Sequence, residues 1–140
     1  MNLVTAIARN LLGLVFVAAG TMTFILRSPV PQPGLAGTFN DAFVGSHWAL
    51  FVAAAQLAAG VLLLAGRFVP FAAIVVAAFL YNSFAFHITM MPAGLPMALV
   101  VACLWFTVSW EYRFAFAALF TASPVKSATG LAVRAVESGG

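Results

Sequence analysis

Charge is what this sequence lacks most. Its 140 residues include only six lysines or arginines and three aspartates or glutamates, while 64% are hydrophobic. A soluble protein normally devotes roughly a quarter to a third of its surface to charged side chains. So few charges cannot cover a surface that faces water. The sequence therefore excludes an ordinary soluble domain, and lipid must surround most of the chain.

Other absences exclude whole classes of chemistry. Cys103 is the single cysteine, so an internal disulfide cannot form. Motifs for nucleotide binding (GxGxxG, GxxxxGK[ST]), zinc proteolysis (HExxH) and dithiol exchange (CxxC) do not occur. Of the three carboxylates, Asp41 lies in a loop, Glu111 at a membrane interface and Glu137 in the tail, so none is predicted inside the membrane, which disfavours a proton pump built on an intramembrane acid. The basic residues are scattered, so a pI near 9.8 does not predict a nucleic-acid partner.

Long hydrophobic runs take the place of these features. Four of them predict helices at about 3–26, 47–66, 68–91 and 95–120. Each is close to the roughly 20 residues that cross a bilayer, and a lipid-embedded backbone must satisfy its own hydrogen bonds. We therefore predict an all-α fold, an integral membrane four-helix transmembrane bundle within residues 1–122, followed by a flexible cytoplasmic tail at 123–140. A cleavable signal peptide is the rival interpretation of the first run, disfavoured by its length and by Arg9.

Basic residues predict the orientation of this bundle. If the spans alternate, Arg27 lies alone on one side, and the other five lie together on the opposite side: Arg9, Arg67, Arg113, Lys126 and Arg134. The positive-inside rule then places both termini in the cytoplasm, so the topology is N-in/C-in. The long loop after the first span and the turn before the fourth span face outward. We call these the outer ends of the helices.

Small residues indicate how the helices pack. Gly13 and Gly20 are seven residues apart on the first span, and Ala53 and Gly60 lie on one face of the second span together with Gln56. Small side chains at such spacings let two backbones approach closely in a membrane. The second span is therefore predicted to be buried.

Polar residues inside the spans are the candidates for function. Ser83 and His87 share a helix face at i and i+4, and Met91 extends it, whereas Asn82 points about 140° away from His87. Asn82 and Gln56 are predicted to form interhelical hydrogen bonds that set the packing. His87 either packs in the same way or marks a ligand site, because an imidazole within the membrane is costly without a partner.

Histidines and methionines also collect at the outer end. They are His47, His87, Met22, Met90, Met91 and Met97. Thioethers with imidazole are ligands that suit Cu(I), so an outer copper site is a lesser hypothesis. Methionine is also a general filler of core gaps, which is the alternative interpretation.

Three stretches make the chain resemble the DoxX family of small bacterial membrane proteins. These are "RNLLGLVFVAAG" in the first span, "GVLLLAGRFVP" after the second, and "YNSFAFH" followed by "PAGLP", so the resemblance covers about residues 8–120. It implies a multi-pass protein of the bacterial plasma membrane. Some members are of the subunit type found with a thiosulfate:quinone oxidoreductase, and others are placed in redox or oxidative-stress complexes. It implies no catalytic residues, and many relatives have glutamate where Gln56 stands.

Two functions remain open at this point. The first is a redox-associated subunit that binds a quinone or another lipophilic molecule, with His87 donating a hydrogen bond to a carbonyl oxygen beside Ser83. Aromatic side chains available to line that pocket are Phe84, Phe86 and Trp105. Its partners would be lipid and an oxidoreductase subunit or a second copy of the chain. The second function is a structural or assembly subunit without chemistry of its own.

Overall fold

The structure is a computed structural model that describes residues 2–26 and 31–120. In this part of the chain the elements are α1 (Leu3–Leu26), α2 (Gly34–Gly45), α3 (Trp48–Ala65), α4 (Val69–Thr89), α5 (Leu95–Glu111) and α6 (Arg113–Ala117). Single 3₁₀ turns occupy Pro92–Gly94 and Ala118–Phe120. The predicted tail at 123–140, with Lys126, Arg134 and Glu137, lies outside the described residues, as does Arg27.

Four of these helices are long and apolar enough to cross a membrane. They are α1, α3, α4 and the segment Pro92–Glu111, which contains α5. Lengths of 18 to 24 residues correspond to about 27–36 Å of helix, close to the thickness of a hydrocarbon core. The predicted four-helix transmembrane fold is confirmed, and the chain is a multi-pass membrane protein.

Helices α1 and α3 pack closely along their glycines, as predicted. A Cβ atom added to Gly60 would lie 2.8 Å from the Val17 backbone nitrogen and 2.9 Å from the Gly13 carbonyl oxygen. No side chain fits at such distances. The contact therefore depends on backbone approach, the usual means of helix association where the hydrophobic effect is absent.

The remaining helices close a core against this pair. Leu12 and Phe16 of α1, Leu63 of α3, Val76 of α4 and Val108 of α5 are almost completely buried. One side-chain hydrogen bond joins α4 to α5, because Trp105 Nε1 donates to the Ala73 carbonyl oxygen at 2.8 Å. Trp105 thus ties two helices together where its indole N–H would otherwise be unsatisfied in lipid.

Helix α2 was not predicted from the sequence. Its 12 residues are too short to cross a bilayer, and they contain three glycines with an Asn-Asp pair. The signal that was missed is Phe39 and Phe43 at i and i+4, which stack with ring centroids 5.8 Å apart. The Phe39 ring also lies 5.5 Å from the Phe86 ring of α4. Helix α2 therefore packs over the outer end of the bundle.

The last predicted span is interrupted. We expected one helix over 95–120, but α5 ends at Glu111, and a new short helix begins at Arg113. Arg113 Nη1 donates to the Trp110 carbonyl oxygen at 2.9 Å, and its guanidinium lies 4.3 Å from the centroid of the Phe114 ring. A cation bonded to the last carbonyls of a helix stabilises that terminus. The break thus falls beside Arg113, which the charge pattern assigns to the cytoplasmic side.

Candidate functional site: a cavity with unpaired polar groups

A small cavity lies inside the bundle, and we call it the bundle cavity. Its volume is about 160 Å³. Three polar side chains face it: Gln56 from α3, and Ser83 and His87 from α4. The apolar lining is Val15, Phe16 and Ala19 from α1, Phe79 and Leu80 from α4, and Met97, Ala98 and Val101 from α5. Every long helix therefore contributes to this cavity.

Gln56 is the most unusual of the three polar groups. Its side chain is only 8% exposed, yet it makes no hydrogen bond to any described residue. The interhelical bond predicted for it does not form, because the α1 residues that line the same cavity, Phe16 and Ala19, offer no polar side chain. Its amide atoms are not among the sealed polar atoms of the described chain, and the residue lines the cavity. This group is thus available to a ligand or to water in the cavity.

Ser83 lies one turn deeper than His87 on the same face, as the sequence predicts. Its hydroxyl makes no hydrogen bond to a described residue, not even to the carbonyl four residues earlier. By contrast, Thr89 on α4 and Thr107 on α5 each donate a hydrogen bond to the carbonyl oxygen four residues earlier. The Ser83 hydroxyl is therefore a second free donor and acceptor at the cavity wall.

His87 is held firmly at the outer end of the cavity. Its Nδ1 lies 3.1 Å from the Met91 carbonyl oxygen. The ring packs against Gly94, where a Cβ atom would overlap it, and its centroid is 5.3 Å from that of Phe86. The turn after α4 thus fixes the orientation of the imidazole. Donation from Nδ1 is directed to Met91, and not to a ligand.

The size of the cavity limits what it can hold. Sites for drug-sized molecules usually enclose about 300–1,000 Å³, so a volume of about 160 Å³ is small. A cavity of about 150 Å³ is known to accept benzene. The bundle cavity therefore matches one six-membered ring, with any alkyl tail of the ligand outside it.

A second, larger cavity lies at the outer rim beneath α2, and we call it the rim cavity. It encloses about 460 Å³ and includes His47, Met22, Met91 and Phe86 in its wall. We favour the bundle cavity as the site despite its smaller volume, because its buried polar side chain, Gln56, has no hydrogen-bond partner among the described residues. Asn40, the α2 residue that faces the rim cavity, already has an interaction of its own.

The six predicted copper ligands are divided between the two cavities. Met22, Met91 and His47 line the rim cavity, His87 and Met97 line the bundle cavity, and Met90 lines neither. Among the described residues, no three histidine, cysteine or acidic side chains cluster as metal ligands would. Copper at the rim, bound by the first three residues, remains a separate hypothesis.

Three other predicted residues lie away from the bundle cavity. Phe84 packs against the hydrophobic core, Trp105 is bonded to Ala73, and Asn82 is exposed. Asn82 Nδ2 donates to the Ala78 carbonyl oxygen at 2.8 Å, within its own helix and not between helices as predicted. The aromatic rings at the cavity are instead Phe16 and Phe79, which meet edge to face at 5.3 Å. Phe79 could have been found, because it precedes Ser83 by four residues.

Two further buried atoms in the described part of the chain have no partner. They are Arg9 Nε and Ser109 Oγ. Neither residue lines the bundle cavity or the rim cavity. Nothing in the structure explains them, and they are not part of the candidate site.

Comparison with known proteins decides the family. The family model described as DoxX matches residues 4–89, more than half of the chain. The chain belongs to the DoxX family. The match covers α1 to α4 of this DoxX protein and ends before the turn that holds His87, so α5 lies outside it. No curated protein and no solved structure matches the chain.

Proposed function

We propose that this DoxX protein binds a lipophilic molecule by placing one polar-substituted ring in the bundle cavity, and that it serves as a redox-associated membrane subunit. A quinone head group is a ring of this kind. The observation that carries the proposal is the Gln56 amide, nine-tenths buried, unpaired and facing the same cavity as Ser83 and His87. Buried polar groups normally have hydrogen-bond partners, so an unpaired one that faces a cavity favours a ligand-binding role.

The chemistry of the wall fits a ring with oxygen substituents. Phe16 and Phe79 offer aromatic edges and faces to a flat ring, and Met97 adds a thioether that adapts its shape. Gln56 can both donate and accept, as can Ser83. The polar groups thus lie on α3 and α4, so an oxygen of the ring has partners on two helices.

Substitution of Gln56 by leucine tests this proposal. If the amide serves a ligand, Gln56→Leu removes binding of a short-chain quinone while the thermal stability of the free protein in detergent stays equal or rises. If the amide serves packing, the same change lowers stability. The two outcomes differ in sign because an unpaired buried amide costs free energy, whereas a paired one contributes it.

The binding measurement is a titration of purified protein with the quinone, followed by the shift in melting temperature. Asn82→Leu is the matched control, because this amide is exposed and bonded within its own helix. We expect it to leave binding unchanged. Titrations of the wild-type protein that reach saturation with neither the quinone nor its quinol would reject the proposal.

The structural or assembly subunit is the alternative. It requires Gln56 and Asn82 to hold helices in register, and neither makes an interhelical bond within the described chain. Contacts between two copies could still supply such bonds. A loss of oligomers in Asn82→Leu, measured by light scattering in detergent, would favour this alternative.

Location and partner form the next part of the proposal. The family resemblance supports a place in the bacterial plasma membrane beside an oxidoreductase subunit. Co-migration of the tagged protein with a quinone-reducing activity on a native gel would support this assignment. Migration of the protein without any such activity would count against it.

Copper binding at the rim cavity is a lesser alternative. The observation in its favour is that His47, Met22 and Met91 line one cavity. Titration with Cu(I) against a competing chelator tests it. Stoichiometric binding that His47→Ala abolishes would establish the site, and the absence of such binding would remove it.

A further inference from the structure

We propose that the bundle cavity selects ligands that present a hydroxyl group to His87, and so prefers a phenol or quinol ring to the corresponding carbonyl form. This inference rests on the proposed function, because it names the chemical form of the ligand in the same site. The preference depends on which nitrogen of the His87 ring carries the proton.

The tautomer of His87 follows from its bond to the turn. A carbonyl oxygen can only accept, so the Nδ1 atom that lies 3.1 Å from the Met91 oxygen must carry the proton. The same oxygen also accepts the Gly94 N–H at 3.1 Å, which uses its second lone pair. In a neutral imidazole, Nε2 is then an acceptor without a proton.

Packing opposes a rotation of the His87 ring, so Nδ1 stays the donor and Nε2 stays the acceptor. Gly94 lies against the ring, and Phe86 meets it edge to face at an interplanar angle of 71°. A rotation of the ring by half a turn would move Nδ1 away from the Met91 oxygen and leave that bond unmade. The turn therefore acts as a positioning device for the acceptor atom.

Nε2 itself remains free. It makes no hydrogen bond to a described residue, and it is not among the sealed polar atoms of the described chain. With Nδ1 bonded to the turn and His87 in the cavity wall, Nε2 is the ring nitrogen left for a ligand there. A ligand hydroxyl satisfies it, whereas a carbonyl oxygen would bring two lone pairs together.

No carboxylate among the described residues lines the bundle cavity, since Asp41 and Glu111 both lie elsewhere. At the other polar groups, Gln56 and Ser83 both donate and accept, so they do not discriminate between the two forms. Selection therefore rests on His87.

The first experiment determines the tautomer directly. The chain has two histidines, so His47→Gln leaves His87 alone. Two-bond proton–nitrogen NMR correlations of the ¹⁵N-histidine protein in detergent should show the proton on Nδ1, with a shift of Nε2 when 4-propylphenol is added. A proton on Nε2 in the free protein would overturn the inference.

The second experiment measures selection with probes that have no redox chemistry. We expect 4-propylphenol to bind roughly tenfold more tightly than its methyl ether or propylbenzene, the effect of one complementary buried hydrogen bond. Propylbenzene is smaller than the phenol, so its weak binding cannot come from a steric clash. His87→Phe keeps a ring against Gly94 but removes the acceptor. We expect its affinity for 4-propylphenol to fall to that for the methyl ether.

The outcomes separate the two proposals. Equal binding of all three probes, with loss of binding in Gln56→Leu, would overturn the selection by His87 and leave the proposed site intact. Saturable binding by none of the probes would overturn both. Tighter phenol binding that persists in His87→Phe would overturn the role of His87 alone.

Discussion

Asn82 and Ser83 are neighbours on α4, yet the two side chains differ in what they bond. Asn82 faces outward and bonds back to the Ala78 carbonyl oxygen. Thr107 on α5 behaves in the same way, with Cys103 as its acceptor. Ser83 and Gln56 face the bundle cavity and make no hydrogen bond to a described residue. Asn82 and Thr107 on the outside of this bundle are thus satisfied within one helix, whereas Ser83 and Gln56 at the cavity are not.

This difference teaches how to distinguish packing from binding in a membrane bundle. A polar group exposed to hydrocarbon has no water to bond, so it must use its own backbone. A polar group that faces a cavity can remain unpaired only if water or a ligand enters. The local hydrogen bond, more than the residue type, indicates which role a side chain has.

The largest effect should come from a side chain placed in the close contact between α1 and α3. Gly60→Leu forces a side chain against the Val17 backbone nitrogen and the Gly13 oxygen, and we expect a loss of about 3 kcal/mol, at the upper end of overpacking effects. Unfolding in mixed detergent, monitored by circular dichroism, measures it. Gly45→Val is the control, because a Cβ atom there meets nothing within 4 Å. Equal stability of both variants would contradict the close α1–α3 contact.

A smaller effect should come from the turn after α4, where a substitution moves the His87 ring out of its position at the bundle cavity. In Gly94→Ala the new methyl group overlaps the His87 ring, so the ring must leave its place beside Met91. We expect affinity for 4-propylphenol to fall roughly tenfold, by the loss of one oriented hydrogen bond. Calorimetric titration measures the change. Unaltered affinity would mean that the turn does not position the imidazole.

Trp105 offers an intermediate case, a polar group satisfied by a different helix. Trp105→Phe removes the donor to the Ala73 oxygen while keeping an aromatic ring. The loss should be about 1 kcal/mol, the net value of one hydrogen bond. A lower melting temperature with unchanged ligand affinity is the expected result. A change in affinity alone would show that this tryptophan serves the cavity after all.

The smallest effects should belong to the outward-facing class. Thr107→Val replaces a self-satisfied hydroxyl by a methyl group of similar shape, and we expect stability to change by less than about 0.5 kcal/mol. Ser83→Ala is the partner measurement at the cavity. If Thr107→Val reduces ligand affinity as strongly as Ser83→Ala does, the two classes are not distinct.

Sequence reasoning reached the fold because bilayer thickness constrains it so strongly. The first helix was predicted at about 3–26 and extends over Leu3–Leu26, and the Ser83–His87 face follows from helical spacing alone. Helix α2 was missed because it is short and glycine-rich, and the break after Glu111 was missed because the apolar residues continue beyond it. Such features depend on tertiary contacts, among them that of Phe39 with Phe86.

The site was only partly predictable for a related reason. His87 and Ser83 could be placed on one face, but the role of Gln56 depends on what stands opposite it on α1 and α4. A sequence does not state which helices face each other at a given depth. Phe84 and Trp105 were therefore assigned to a pocket that is lined by Phe16 and Phe79 instead.

The glycine contact between α1 and α3 also limits the routes by which a ligand can reach the bundle cavity. Two backbones that already touch leave no gap for a molecule to slip through. Helix α5 is the opposite case, since only 17% of its span is buried, and it forms one wall of the bundle cavity. A molecule dissolved among the lipid tails therefore cannot pass between α1 and α3 at the glycines, and the least buried of the four spans is the cavity wall formed by α5.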